Sequence, residues 1–274
     1  FSRYVGGVRF PTNGMVDPIL SYFLPRVHTL LLLDTPHVVS DTIDPIVEIY
    51  TEKNRIERYV LSRLLYWPIY LLCLIPSKKQ TRISYKLRDF FSVLWVGCTQ
   101  KQSFDLFIGL ESINVLAGLI LKKFGRVKTV VYYVSDYAPV RFKDKIFNAI
   151  YIWLDRICVT HADFTWDVSP AMQKARLAAG LPKDRVYRVI HVPNGLFPSQ
   201  IAPLLINERN KYDLVYMGIL EPDMGPDLTI RALSLVKRVY SKVKLHIIGG
   251  PEKDMKVLKT LAKRLSLEKS VLFH

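Results

Sequence analysis

The chain has 274 residues, half of them hydrophobic, which is enough for one large or two ordinary domains with sizeable cores. Its 39 Lys and Arg against 24 Asp and Glu give a net charge of +15, which favours anionic partners or simply a basic surface. Its three cysteines, in no zinc or redox spacing, exclude a disulfide framework and indicate a reducing cytoplasm.

The first part of the chain carries the weakest signals. Residues 17–24 predict a short helix with Pro18 in its first turn. The apolar run at 28–33 predicts a buried parallel strand that ends in a polar loop beginning at Asp34. Because the chain opens on Phe1 and shows no signal-peptide pattern, we expect its natural N-terminus to be missing.

Residues 53–78 contain an apolar run from Leu64 to Ile75 with basic residues on both sides. The run is shorter than the ~18–20 residues that span a bilayer, and Pro68 interrupts it. One interpretation is an interfacial segment, with Trp67 at headgroup depth and the cations on anionic lipid. The other is a helix packed on the sheet. The flanking cations are Lys53, Arg55, Arg58, Arg63, Lys78 and Lys79.

From residue 85 to residue 192, helix-like and strand-like apolar segments alternate, which predicts a Rossmann-like half with a parallel sheet. One of its helices carries Ile146, Ile150, Trp153 and Ile157 on one stripe. The predicted strands are 104–109, 127–134, 163–168 and 187–192, and the predicted helices are 85–96, 115–124, 142–158 and 170–179.

A second α/β segment follows a stretch, 197–211, that lacks periodicity and is predicted to be a linker. Its strands at 213–217 and 243–248 each end in glycine and flank a helix, which makes one βαβ unit with a right-handed crossover. A helix over 253–265 and a strand at 270–273 complete it. Ligands of open α/β sheets bind at the carboxyl ends of such strands.

The ordered motifs of both segments resemble those of GT-B glycosyltransferases, in particular the GT4-like (glycosyltransferase group 1) family. The resemblance implies an α/β fold with two Rossmann-like domains facing across a cleft, the C-terminal one truncated. It divides the chain into an acceptor-side domain at 1–196, the linker at 197–211 and a partial nucleotide-sugar-binding domain at 212–274. The motifs are DLFIG-x-E, YYVSDY-x-P-x-RF, WDVSPAM and HVPNG in the first segment, and YMG, GPDL, AL and LHIIGGP in the second.

The resemblance also implies a function. A sugar would move, with retention of configuration, from a nucleotide-sugar to a glycan or lipid-linked acceptor, without a metal or other cofactor. We expect a cytoplasmic protein, peripheral on the inner face of the membrane and serving cell-envelope polysaccharide synthesis. Nucleic acid is not an expected partner because no nucleic-acid-binding motif accompanies the charge.

Glycine turns are the candidate donor-binding elements. Gly218 with Gly225, and Gly249 with Gly250, would allow close approach of a diphosphate to backbone N–H groups at helix N-termini. Asn194, beside the expected cleft, is a further candidate. The alternative is that these residues only form tight turns.

On the acceptor side, Asp136 is the candidate catalytic residue, for acceptor contact or for proton transfer, which requires burial to raise a carboxyl pKa. Arg141 could contact a phosphate or pair with Asp136. Glu111 could face the cleft or cap the following helix. The alternative for Asp136 is an ordinary turn residue before a helix.

Two positions depart from the family pattern. Where many GT4-like members carry Arg and Lys for the diphosphate, this chain has Ile219 and Met224. The family's acidic pair would lie beyond His274, so we expect a fragment cut at both ends. These departures support a second hypothesis, a catalytically inactive GT-B-like binding or regulatory subunit.

Motifs typical of dinucleotide dehydrogenases, P-loop NTPases and α/β-hydrolases are absent from the sequence.

Overall fold

In a computed structural model, the chain divides into two compact units, Phe1–Phe197 and Pro198–His274. The structure describes residues 2–6, 8–11, 15–37, 40–63, 67–73, 78–195, 212–250 and 252–274. The predicted linker at 197–211 lies outside the described residues.

The N-terminal unit begins with two small antiparallel sheets. A hairpin pairs β1 (Ser2–Val5) with β2 (Val8–Pro11), and helix α1 (Val16–Phe23) follows. The second sheet has the order β3 (Thr29–Asp34), β4 (Ile46–Thr51) and β5 (Asn54–Val60). The predicted parallel strand at 28–33 is therefore wrong in direction, because β3 pairs antiparallel with β4.

The segment at 53–78, which was predicted to contact either a membrane or the sheet, contains a strand and a short helix. Arg55 and Arg58 lie on β5, where they pair with Glu48 at 3.1 and 3.2 Å. The apolar part contains the short helix α2 (Trp67–Cys73), while residues 64–66 and 74–77 lie outside the described residues. In the part of the chain that the structure describes, no helix has the length and apolar character needed to cross a bilayer.

The predicted Rossmann-like half is present as a four-stranded parallel sheet with the order β6-β7-β8-β9, and helices connect its strands. Its core is built from β-branched residues of β7 and apolar residues of the helices, among them Val115, Val130 and Val159, all fully buried. The elements are α3 (Lys78–Thr99), β6 (Phe104–Gly109), α4 (Ser112–Lys123), β7 (Val127–Val134), α5 (Lys145–His161), β8 (Phe164–Asp167), α6 (Pro170–Ala178) and β9 (Val189–His191).

Local signals explain where these helices begin and end. The Asp144 carboxylate accepts hydrogen bonds from the N–H groups of Ile146 and Phe147, which caps α5. Ser169 caps α6 with Pro170 at the first position, and Gly180 follows its end with φ +88°. The apolar stripe predicted on α5 lies largely exposed.

The C-terminal unit is a three-stranded parallel sheet with the order β10-β11-β12. Leu245 and Ile247 of the central strand are buried against Ile230 and Leu233 of the crossover helix. The elements are β10 (Asp213–Met217), α7 (Pro226–Val236), β11 (Lys244–Ile248), α8 (Glu252–Arg264) and β12 (Val271–Phe273). The α/β fold with parallel sheets in both halves is thus confirmed.

Candidate functional site

The candidate acceptor-side residues lie at the carboxyl edge of the β6–β9 sheet. Glu111 follows β6 and Asp136 follows β7, and these two strands pair in parallel with Gly109 opposite Tyr132. Asn194 lies exposed just after β9, at the same edge of the sheet. The topology therefore brings three of the sequence-predicted residues to one edge.

Asp136 and Arg141 form an ion pair. Arg141 Nη1 donates to Asp136 Oδ1 at 2.6 Å, so one of the two predicted roles of Arg141 is observed. The side chain of Asp136 is 68 % exposed, which differs from the burial that the proton-transfer hypothesis requires. In this arrangement Asp136 is an accessible hydrogen-bond acceptor whose orientation is set by a cation.

The loop that carries Arg141 is attached to the start of α5. Asn148 Oδ1 accepts from the backbone N–H groups of Arg141 and Phe142, and Asn148 Nδ2 donates to Pro139 O at 2.9 Å. The guanidinium of Arg141 lies 5.5 Å from the ring centroid of Tyr151, and burial raises the pKa of Tyr151 to about 12. Tyr151 therefore stays protonated at neutral pH, and a neutral aromatic ring lies beside the Asp136–Arg141 pair.

Glu111 occupies the N-cap position of α4, but its side chain does not cap that helix within the described residues. It pairs instead with Lys86 of α3. Lys86 is the residue that sequence reasoning missed at this edge, because only the packing of α3 beside α4 places it there. Two carboxylates and two cations thus form a nearly neutral polar cluster.

A buried ion-pair network, which the sequence did not predict, lies within the N-terminal unit. Arg176 of α6 is 2 % exposed and donates to Asp155 Oδ2 at 2.8 Å and to Asp167 Oδ2 at 2.6 Å. Tyr132 donates its hydroxyl to Asp155 Oδ1 at 2.9 Å. Burial raises the pKa of the Asp167 carboxyl. This network ties α5, α6, β7 and β8 together directly below the loop that begins at Ser135.

The candidate donor-side glycines lie in the C-terminal unit, where their backbones approach one another. The N–H of Gly218 donates to Ile248 O at 3.0 Å. A Cβ atom on Gly249, whose φ is +157°, would lie only 2.0 Å from Gly218 O. The turn at Gly249 therefore needs glycine for its own close approach to Gly218, which agrees with the turn-only alternative there and leaves a ligand role untested.

The loop between Gly218 and α7 folds over an aromatic residue. The hydroxyl of Tyr216 donates to Ile219 O at 2.9 Å and to Met224 O at 3.3 Å. Gly225 adopts φ +79° and is the N-cap of α7, with Pro226 at its first position. Among the described residues no side chain caps this helix, so its first turn presents backbone N–H groups, as the donor-binding hypothesis requires.

The two family departures are visible in this loop. Ile219 and Met224 are 55 % and 57 % exposed. Asp227 lies in the first turn of α7 with its carboxylate 3.8 Å from Arg231, so the charge nearest the helix start is negative. A bound diphosphate would meet the helix dipole there, but also this carboxylate.

No group of three or more His, Cys, Asp or Glu side chains that could hold a metal ion occurs in the described ranges.

Comparisons with known proteins give one family and several distant structures. Residues 199–274 match the family model described as glycosyl transferases group 1. A search of curated proteins finds no match.

The similar solved structures are remote in sequence. A TarM mutant from S. aureus, in complex with fondaparinux, alpha-GlcNAc-glycerol and UDP, is 11 % identical with a TM-score of 0.45; the match covers 96 % of this chain and 60 % of that one. The catalytic domain of Starch Synthase IV from Arabidopsis thaliana, bound to ADP and acarbose, is 8 % identical with a TM-score of 0.49; coverage is 90 % and 64 %. A UDP-N-acetylglucosamine 2-epimerase is 13 % identical with a TM-score of 0.40; coverage is 73 % and 52 %. The chain thus spans less than two thirds of each of these proteins.

The matched residues include the whole glycine-turn βαβ unit and its continuation to His274. The match agrees with the sequence-based assignment to glycosyltransferase group 1 over residues 199–274, whereas the GT4-like subdivision stays a prediction. The C-terminal unit of this chain is thus similar to the glycosyl transferases group 1 family.

Proposed function

We propose that the chain is part of a nucleotide-sugar-dependent glycosyltransferase of GT-B type. The observation that carries the proposal is the match of residues 199–274 to glycosyl transferases group 1, over a βαβ unit with glycine turns at its strand ends. In the proposal this unit holds the nucleotide-sugar, and the carboxyl edge of the N-terminal sheet holds the acceptor.

Each half-site has a definite task. The first turn of α7 and the turns at Gly218, Gly249 and Gly250 present backbone N–H groups to the donor diphosphate. Asp136, oriented by Arg141, accepts a hydrogen bond from the acceptor hydroxyl. Glu111 and Asn194 lie at the same edge, where they would contact the remaining hydroxyl groups of a glycan.

The finer parts of the proposal rest on the family resemblance. They are retention of configuration, independence of metal, a lipid-linked or polysaccharide acceptor, and a place on the cytoplasmic face of the membrane. The net charge of +15 supports an anionic surface as partner.

A second candidate function keeps the fold without catalysis, as a binding or regulatory subunit. The exposed Ile219 and Met224, together with Asp227 at the start of α7, favour it because they leave the donor loop without a cation of its own.

Isothermal titration of the chain with UDP-, GDP- and ADP-sugars tests the proposal, followed by an assay for release of the nucleotide. We expect one nucleotide class to bind. If none binds to the chain or to a longer form that continues beyond His274, the glycosyltransferase proposal is wrong.

A gain-of-function pair separates the two candidate functions. If other cations already neutralise the diphosphate, Ile219→Arg with Met224→Lys changes donor affinity by less than about threefold. If the loop has lost its cations, the same pair raises affinity about tenfold or more, as one charge-assisted contact would. Ile219→Gln with Met224→Gln is the matched control, because it removes the apolar surface without adding charge.

A further inference from the structure

Helix α5 carries an apolar stripe that faces away from its own core. Ile146, Ile150 and Trp153 are 73 %, 47 % and 58 % exposed, and Ile157 is half-buried. These positions follow the spacing i, i+4, i+7 and i+11, so their side chains form one continuous strip along the helix.

The opposite face of the helix explains why the apolar stripe can face away from the core. There the buried residues are Asp155, Cys158 and Val159, and Asp155 takes part in the network with Arg176 and Tyr132. The inner face is therefore anchored by an ion pair as well as by apolar contact. The outer stripe therefore contributes little to holding α5 on the sheet.

The exposed charged residues beside the stripe, from residue 143 to the end of α5, are all basic. Lys143, Lys145 and Arg156 are exposed beside it, and no ion pair joins either lysine to a carboxylate among the described residues. The only carboxylate within α5 is Asp155, which is buried. Asp144, just before the helix, is engaged in capping its first turn.

We propose that this face of α5 docks on an anionic lipid surface, with Trp153 and the isoleucines at the acyl boundary and the three cations at the headgroups. An apolar strip with a cationic margin is the pattern of helices that lie in the plane of a membrane interface. The proposal deepens the proposed function, on which it rests for a membrane-bound acceptor, and it names the surface that makes the contact.

The rival surface at 53–78 is less suitable. Trp67 and Leu71 of α2 are exposed, but three of the four preceding cations are engaged: Arg55 and Arg58 with Glu48, and Arg63 with Asp44. Each arginine there faces a carboxylate that a lipid headgroup would have to displace. Within the described ranges, neither Lys143 nor Lys145 is paired with such a carboxylate.

Tryptophan fluorescence can locate the contact, because the chain has only four tryptophans. One reporter keeps Trp153 and replaces the other three by Phe; the matched reporter keeps Trp67. On vesicles of equal parts phosphatidylcholine and phosphatidylglycerol, we expect a blue shift from the Trp153 reporter and none from the Trp67 reporter. A shift confined to the Trp67 reporter overturns the proposal.

Vesicle cosedimentation gives the second measurement. We expect Trp153→Gln with Ile150→Gln to lower binding by about tenfold or more, and each of Lys143→Gln, Lys145→Gln and Arg156→Gln to lower it about fivefold. The matched control is Trp67→Gln with Leu71→Gln, which should leave binding unchanged. Equal binding by the α5 variant, or equal binding to pure phosphatidylcholine, overturns the proposal.

Two further outcomes are distinguishable from these. A chain that dimerises without lipid, and becomes monomeric on Trp153→Gln, would show that a second copy covers the stripe, and the proposal would be wrong. Turnover of the donor without vesicles should be the same in Trp153→Gln as in the wild type. If vesicle binding follows the expected pattern but no nucleotide-sugar binds, the proposed function fails while the membrane surface stands.

Discussion

The two proposed half-sites, one in each unit, are built on opposite principles. The carboxyl edge of the N-terminal sheet is a set of side-chain ion pairs on loops, supported by a buried network around Arg176. The donor-side turns consist of backbone, and Gly249 lies where a Cβ atom would collide with Gly218 O. The first site can lose a functional group without losing its shape, whereas the second loses its shape when a side chain is added at Gly249.

The largest expected effect comes from the network below the acceptor-side edge. Arg176→Met leaves Asp155 and Asp167 buried without their cation, and we expect it to destabilise the N-terminal unit by about 3–5 kcal/mol. Urea unfolding followed by tryptophan emission measures this unit alone, because Trp67, Trp95, Trp153 and Trp166 all lie within it.

The stability loss caused by Arg176→Met should depend on pH, in a direction set by the pKa of Asp167. Burial raises the pKa of Asp167, so the folded chain keeps that proton to higher pH than the unfolded chain does. The corresponding stability is present at acid pH and is lost as the pH rises through the folded-state pKa. Arg176→Met should therefore recover part of its lost stability near pH 4–5. A loss that is the same from pH 4 to pH 8 would contradict the view that unpaired carboxylates cause it. Arg156→Met, which removes an exposed arginine from the same helix pair, is the control.

The next largest effect tests the backbone half-site. Gly249→Ala puts a Cβ atom 2.0 Å from Gly218 O at a φ that other residues avoid, and we expect a loss of about 2–4 kcal/mol in the C-terminal unit. Amide hydrogen exchange of β10 and β11 measures it, while tryptophan emission should not change.

The neighbouring glycine is a close control for that variant. A Cβ on Gly250 would have no atom within 4 Å, so Gly250→Ala should cost about 1 kcal/mol or less. If Gly250→Ala retains the fold but abolishes donor binding, the backbone approach of a ligand at that turn is supported. Equal destabilisation by the two variants would show that crowding against Gly218 is not what requires glycine.

The contrast between the half-sites also explains what the sequence could predict. The strands from Phe104 to His191 and from Asp213 to Phe273 were predicted correctly, because β-branched runs alternate with helix-length segments and glycine turns there. The direction of β3 was not, because the apolar run alone does not identify its partner. The turn that joins β4 to β5 has positive φ at Glu52 and Lys53. Because these residues occupy the places where Asn-Gly or Asp-Gly usually marks a hairpin, the sequence carries no such signal there.

Side-chain geometry was predictable only where residues follow strand ends. Glu111 and Asp136 could be placed at one sheet edge because parallel strands bring their carboxyl ends together. Lys86 and Arg176 could not, because their partners depend on how helices pack across the sheet. The α5 stripe was predicted but its exposure was not, since periodicity identifies an apolar face but not the direction in which that face points.

The smallest expected effect on stability comes from the candidate catalytic residue. Asp136→Asn removes an exposed ion pair, so the free energy of unfolding should fall by no more than about 1 kcal/mol.

If Asp136 acts on the acceptor hydroxyl, the same substitution should lower sugar transfer by about 10²–10⁴-fold, with donor binding unchanged. Asp105→Asn is the matched control, because the Asp105–Lys128 pair has the same 2.6 Å separation but joins the first residues of β6 and β7, away from that edge. A comparable loss of transfer in both variants, or a loss in Asp136→Asn that follows unfolding, would make Asp136 a structural residue. Loss in Asp136→Asn alone would show that this side chain serves transfer and not folding, which Gly249, crowded against Gly218 O, cannot show.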